Sequence, residues 1–387
     1  MFKTLLHTIL DEWRRIFSDE GVILIMIAAP IIYATIYSCI YGTQVLHNIP
    51  IGVIDHSHTS LSRNLIQKMD AGANIYIAYE PSDMEQAKKL FYERKIYSIV
   101  YIPSSFDKNI LRGEQATLSL YLDASYLLVY RQTFHELTSL IGSQNIAIEY
   151  SNLIAEEVTP QQAQTITTPV IYNSHNLFNP YLGYGTFLMP PVIILILQQT
   201  LLIGAGMIAG TKPRRIRLSS QHRSAIGSIL GKVIAYSSIY AIIALYLVNI
   251  HFRLFHYPDN STSANTTIFL GLYLLVCSMM ATAIATLFSR RETSLMTLLW
   301  SSIPLLMLSG ASYPLEAMPR ALQWLSWIFP STHGIRGFCL IHMTGASLCD
   351  VWQEIINLLT LGCVYLLLAY IGYSLKKHAF HNHLITT

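Results

Sequence analysis

Charge is scarce in this sequence, and it is missing from the interior of its longest apolar stretches. Lys, Arg, Asp and Glu make up 12% of 387 residues, against 52% apolar residues. Soluble globular chains carry roughly 25% charged residues. Six runs have no charged interior residue: Gly21–Tyr41, Tyr181–Gly210, Gly231–Ile250, Thr267–Phe288, Ser294–Leu308 and Ile355–Leu375. An α-helix rises about 1.5 Å per residue, so about 20 residues cross a hydrocarbon core about 30 Å thick. Five runs reach that length, and Ser294–Leu308 reaches it when extended to Ser312. The lack of ionisable groups at depth argues against two classes. Proton- or sodium-driven carriers need relay groups there, and a membrane-embedded enzyme needs clustered acid–base side chains. Gln198 and Gln199 are the main polar exceptions, with Asn249 near a run end.

Other absences narrow the reading further. There are only five cysteines and no CxxC or metal-ligand spacing. Cys339 and Cys349 fall outside the runs, where a disulfide between them is one option. The pairs His56/His58 and His381/His383 lack a third ligand and read as solvated histidines. Gly227-Ser-Ile-Leu-Gly231-Lys232 has three residues between its glycines and Val233 after the lysine. A phosphate-binding loop needs four residues there, then Ser or Thr, so no nucleotide site is expected in this chain. No cleavable leader is expected either. Asp11, Glu12, Asp19 and Glu20 precede the first run, which is too long for a signal peptide.

What is present is a one-plus-five layout. The basic residues cluster as Lys3, Arg14 and Arg15, then Lys212, Arg214, Arg215, Arg217, Arg223 and Lys232, then Arg290 and Arg291, then Lys376 and Lys377. With six spans all four clusters fall on one side, which the positive-inside rule makes the cytoplasm. Both termini are then inside, and the long insert after the first span is outside. The expected fold is an α-helical membrane protein with six transmembrane helices (1+5) and an α/β extracytoplasmic domain between the first and second. Its parts are an amphipathic interfacial helix (1–20), the first span (21–42), the external domain (43–180) and a five-helix membrane domain (181–387).

Within that frame, Phe2–Phe17 alternates apolar and charged residues at helical spacing, as a helix lying in the inner membrane interface would. Strands are expected at Ile49–Ile54, Asn74–Tyr79, Ser98–Ile102 and Thr117–Leu122. Helices alternate with them at Thr59–Asp70, Ser82–Tyr92 and Ser104–Leu111, the second opened by a Ser82/Glu85 capping box. This alternation predicts a small mixed or parallel sheet, and a long helix follows from Ser125 to Glu157. The basic stretch at 210–232 is the largest cytoplasmic loop. Between the last two runs, 309–350 holds two short apolar segments broken by Pro330: Pro314–Phe329 and Ser331–Met343. They suit a re-entrant hairpin on the outer side, with Trp324 and Trp327 alternatively serving as interface anchors.

Three stretches resemble the permeases of ABC-type exporters called ABC-2, those with a large periplasmic insert after the first span. They are Val53-Ile-Asp-His-Ser-His-Thr-Ser-Leu-Ser-Arg63, then Ile102-Pro-Ser-Ser-Phe106 through Leu111-Arg-Gly-Glu114, and Ser309 through Gly334 with its Tyr-Pro-Leu-Glu-Ala-Met-Pro319 core. The loop after the second span departs from the family's acidic Gly-Thr signature, reading Gly210-Thr-Lys-Pro-Arg-Arg-Ile-Arg217. The resemblance implies a half-transporter, pairing with itself or a paralogue, with ATP and magnesium held by a separate ATPase subunit. A periplasmic adaptor and an outer-membrane channel are further implied partners, and no nucleic acid is expected. Lys212, Arg214, Arg215, Arg217 and Arg223 become the candidate ATPase-coupling loop. Gln198 and Gln199 become path candidates, and Pro314, Leu315, Glu316, Pro319, Trp324, Trp327 and Pro330 mark the outer re-entrant segment. The competing reading is a membrane-anchored sensor whose external domain, within Gln44–Phe178, binds a ligand.

Overall fold

The computed structural model describes residues 2–171, 173–180, 182–211 and 224–385, with side chains described from residue 3 to residue 376 of these. The coupling-loop residues Lys212, Arg214, Arg215, Arg217 and Arg223 lie outside the described residues. The chain divides into two units, Met1–Gln44 with Asn176–Thr387, and Val45–His175.

The first unit opens with α1 (Phe2–Ser18) and α2 (Glu20–Ile40). Asp19 separates them and caps α2, its side chain accepting from the Val22 amide. Within α2 one turn is wound wider, with the Ala29 amide bonded to the Leu24 carbonyl five residues back.

The second unit holds β1 (Ile49–Asp55), α3 (Ser60–Asp70), β2 (Ile75–Tyr79), α4 (Met84–Tyr92), β3 (Ser98–Ile102), α5 (Phe106–Leu111), β4 (Ser119–Leu122), α6 (Leu127–Ala155) and α7 (Pro160–Thr167). The sheet order is β2-β1-β3-β4, parallel except for antiparallel β4. Strand β1 sits inside the sheet and is apolar on both faces, as a doubly covered strand should be. Ile49, Ile51 and Val53 pack with Leu65, Met69 and Leu137 on one side. Ile54 packs with Ala87, Ile96 and Ile99 on the other. The expected capping box at Ser82 is replaced. Asp83 is the cap of α4, accepting from the Gln86 amide at 2.8 Å, while Ser82 bonds the Gln86 side chain. The reciprocal box occurs instead at Thr59 and Ser62 of α3.

The first unit resumes with α8 (Tyr184–Gly210), α9 (Ala225–Leu254), α10 (Ser263–Ala285), α11 (Arg291–Leu308), α12 (Arg320–Trp327), α13 (Pro330–Thr344) and α14 (Trp352–Ile385). Among the described residues five helices are long and apolar enough to cross a membrane: α2, α8, α9, α10 and α14. Helix α11, in the run Ser294–Leu308, is not among them. Its 18 residues include Ser294, Thr297, Ser301, Ser302 and Pro304, which dilute its apolar content.

Helix α8 is the centre of this unit, with almost every side chain from Met189 to Ile208 buried. That accounts for its apolar character all round, since a helix covered on every side has no face to give to water. Two of its glycines allow close contact with α11. A side chain at Gly206 would press on Ser294 and Leu298, and one at Gly210 on the backbone of Arg290 and Arg291.

Helix α1 forms where expected but packs differently. Thr8, Glu12 and Ile16, one turn apart, are buried and lie along α9. Tyr236 donates its hydroxyl to Glu12 at 3.2 Å, and the Trp13 indole donates to the Ala235 carbonyl at 3.2 Å. Leu6, Leu10 and Phe17 remain exposed. The helix therefore has a protein-facing side and a separate apolar side. The false phosphate loop is also explained. Gly227 to Lys232 lies inside α9, and Gly231 makes room for Leu5 and Thr8 of α1.

Candidate functional site

Several of the bundle's polar side chains gather in one layer. Gln198 is wholly buried, and its Nε2 donates to Ser331 Oγ at 3.2 Å while its Oε1 faces Cys277 Sγ at 3.8 Å. Tyr273 donates to the Ile194 carbonyl at 2.8 Å, and Tyr240 to Thr200 Oγ1 at 3.0 Å. Tyr365 donates to the Ile328 carbonyl at 2.6 Å. Gln198 and Tyr365 each lie roughly 20 Å along their helices, at about 1.5 Å per residue. The corner between α12 and α13 therefore sits inside the bundle, well below its rim. Pro330 begins α13, and its first residues Ser331, Thr332 and His333 are all buried. Thr332 closes the corner by donating to the Ser326 carbonyl at 2.7 Å.

Gln199 differs from its neighbour. It is buried, yet among the described residues neither its amide nitrogen nor its oxygen has a hydrogen-bond partner. Leaving such groups unpaired costs about 1–3 kcal/mol each, so a buried, unpaired amide is a candidate for a ligand-facing group. Gln199 and Gly206 are seven residues apart and share a helix face, and Gly206 faces α11. The far side of α11 carries Met296, Leu299, Trp300, Ile303 and Met307, all exposed.

The proposed outer segment divides in two. Leu315 and Pro330 are buried, while Pro314, Pro319, Trp324 and Trp327 are exposed. Glu316 is exposed and ion-paired with Arg336 of α13. The stretch Pro314–Phe329 does not form one helix: a short turn at Leu315–Ala317 and then Pro319 precede α12. Proline has no N–H to continue a helix and instead suits its first turn. Cys339 and Cys349 carry free thiols.

Several polar residues outside the apolar runs prove to be part of the bundle. His333 Nδ1 lies 2.6 Å from Glu354 Oε2 and 3.3 Å from Asn357 Nδ2. His251 Nε2 bonds Ser38 Oγ at 2.9 Å, joining α9 to α2. Glu354 and His251 each fall just beyond an apolar run, and the helices extend past those runs to include them. The polarity of these run ends concealed them.

At the α1 end, Arg291 grips Asp19 with both guanidinium nitrogens, at 2.7 and 2.9 Å. This ties the start of α2 to the start of α11, beside Gly21 and Gly210. Burial raises the Asp19 carboxyl, but Arg291 and the Val22 amide outweigh it and hold the group below the usual carboxylate range. In the sequence Arg291 reads only as a topology charge; its partner lies too far along the chain for spacing to show it. Among the described residues no group of three or more His, Cys, Asp or Glu is placed to hold a metal ion.

Five long apolar helices among the described residues, with polar side chains buried between them, are the frame of a multi-pass membrane protein. Residues 21–371 match the model of the ABC-2 family transporter protein family, and the chain belongs to that family. It is similar to the probable multidrug ABC transporter permease YbhR of Escherichia coli K12. The two are 23% identical over 371 residues, covering 93% of this chain and 95% of the relative. The protein of the same name from Escherichia coli O157:H7 matches equally. The chain is an ABC-2 type permease.

Proposed function

We propose that this permease is the membrane half of an ATP-driven exporter, moving a hydrophobic or amphipathic substrate outward across the inner membrane. The reading rests on membership of the ABC-2 family and on the buried polar layer around Gln198 and Gln199. Such a layer offers hydrogen bonds to a passing cargo, and the energy comes from a separate ATPase that binds ATP and magnesium. The similarity to probable multidrug permeases favours an amphipathic cargo.

Helix α11 completes a six-span topology in this reading. At about 1.5 Å per residue its 18 residues extend roughly 27 Å, close to a hydrocarbon thickness. It lies beside α8 and has Arg290 and Arg291 at the α1 end. Both termini and the coupling segment between α8 and α9 are then cytoplasmic, and the α/β unit is periplasmic. The exposed stripe on α11 is the face a second permease copy or paralogue covers, with Gln199 on the α11-facing side of α8. The α12–α13 corner caps the path from the outer side. A periplasmic adaptor and outer-membrane channel would meet the α/β unit.

Affinity purification of the full-length chain from its own membranes tests this reading. An ATP-hydrolysing subunit should accompany it in stoichiometric amount. Recovery without such a subunit, together with ligand binding by the 45–175 unit, would favour a membrane-anchored sensor instead.

A further inference from the structure

A crevice of about 100 Å³ opens between α9 and α10, away from the polar layer around Gln198. Its floor is apolar, formed by Ala244, Leu270 and Leu274, and its rim carries Asn249, Thr267 and Asp259. Gly271 borders the void directly, since a side chain built there would meet nothing within 4 Å. The α9 wall includes the widened turn Leu247–His251, where the Phe252 amide bonds the Leu247 carbonyl five residues back. Wide turns of this kind inside α-helices are frequent at functional sites.

The rim is charged at one point. Among the described residues Asp259 is the one acidic side chain lining the crevice, and it is 41% exposed. Its Oδ1 accepts from the Ser261 amide at 2.9 Å and the Ser261 hydroxyl at 2.6 Å. The same oxygen lies 3.1 Å from Nδ1 of buried His342. Among the described residues no hydrogen bond reaches Oδ2. A free carboxylate oxygen at the mouth of an apolar slot between two membrane-crossing helices matches a molecule with an alkyl chain and an ammonium head.

We propose that this crevice binds one phosphatidylethanolamine molecule of the surrounding bilayer. An acyl chain lies along Leu270 and Leu274, and the primary ammonium donates to Asp259 Oδ2. The rim group Asn249 is neutral; one amide hydrogen donates to the Leu245 carbonyl at 3.0 Å and the other is left to donate to the lipid phosphate. An anionic headgroup without an amine is disfavoured by Asp259. The site requires only that α9 and α10 cross the bilayer and is independent of cargo, direction and energy source.

Native mass spectrometry of the full-length chain in detergent, with equal amounts of phosphatidylethanolamine and phosphatidylglycerol, tests the assignment. One phosphatidylethanolamine should be retained over phosphatidylglycerol by about tenfold, the factor expected for a hydrogen bond to a charged group. Asp259→Asn keeps the Ser261 hydrogen bonds and should bring the two lipids level. Gly271→Leu should fill the slot and abolish retention of both. Equal retention by the unaltered protein, a preference for phosphatidylglycerol, or an unchanged preference in Asp259→Asn would each overturn the site. Should Gly271→Leu lower the thermal midpoint, Asp259→Asn alone decides. Because no ATPase or transport step enters the measurement, its failure leaves the exporter reading untouched.

Discussion

At the scale of single residues, the side chains that matter are those whose burial conflicts with their chemistry. Gln199 is the clearest. Its unpaired amide sits beside Gln198, whose amide bonds Ser331, so adjacent and identical residues play different parts. Gln199→Leu should raise stability by about 1–3 kcal/mol, because a leucine of similar size leaves no unmet hydrogen bond. The same change should lower transport. Thermal unfolding in detergent and an efflux assay read the two effects. A loss of stability would mean that Gln199 holds the bundle together rather than facing the path.

His342 is the second such residue. It is wholly buried, stacked on Phe338 at 5.1 Å between ring centroids. Burial disfavours its imidazolium and holds it below its ordinary 6.5, with Asp259 opposing only in part. Just below that pH the unfolded chain binds a proton that the folded chain does not. The contribution of His342 to stability is therefore intact above about pH 6.5 and lost as pH falls, until the folded-state value is passed. The thermal midpoint should drop between about pH 7.5 and about pH 5.5, and His342→Phe should flatten that slope. An identical slope in the variant would assign the pH dependence to another group.

At the scale of elements, what could be read in advance depended on whether the signal was local. The α/β unit was legible almost strand by strand. Apolar runs bounded by turn residues mark β1 to β4, and the observed Ser98–Ile102 matches its expected bounds. The cap of α4 moved from Ser82 to Asp83 because the Asp83 carboxylate bonds the Gln86 amide and opens the helix one residue later. Helix α1 was legible as a helix, but its partner was not. Amphipathic spacing says that one side is apolar, without saying that Glu12 turns inward to meet Tyr236 on α9. The α12–α13 break was legible from Pro330, whereas its depth follows from contacts with Gln198 and Tyr365, far away in the chain. The clamp between Asp19 and Arg291 is legible only in three dimensions.

Helix α11 carries the prediction at this scale. Its exposed stripe of Met296, Leu299, Trp300, Ile303 and Met307 is expected to face a second permease. In a background with Cys39, Cys349 and Cys363 replaced by serine, Trp300→Cys or Ile303→Cys should form covalent dimers on mild oxidation in native membranes. Ile242→Cys, exposed on α9, should not. Dimers from Ile242→Cys alone would place the interface on another face.

At the scale of the whole molecule, the proposed function makes the chain a passive structure moved from one end. The α1 end gathers the Asp19–Arg291 clamp, the α1–α9 contact and the Lys376 ammonium on the Phe288 carbonyl at 2.8 Å. Closure of an ATPase against this end would pull on α2, α9 and α11 together. The polar layer lies deeper, where small shifts of α8 against α11 would open or shut access to Gln199. Such coupling needs rigid elements with two arrangements rather than a chain of charges.

The central claim is that a separate ATPase drives cargo past this layer. The most direct measurement uses inside-out vesicles containing the permease with its co-purified ATPase and a fluorescent amphipathic dye. Dye should accumulate in the vesicles only with ATP and magnesium, and accumulation should vanish when the ATPase subunit is stripped away. Accumulation that persists without ATP, driven by a proton or sodium gradient, would contradict the account.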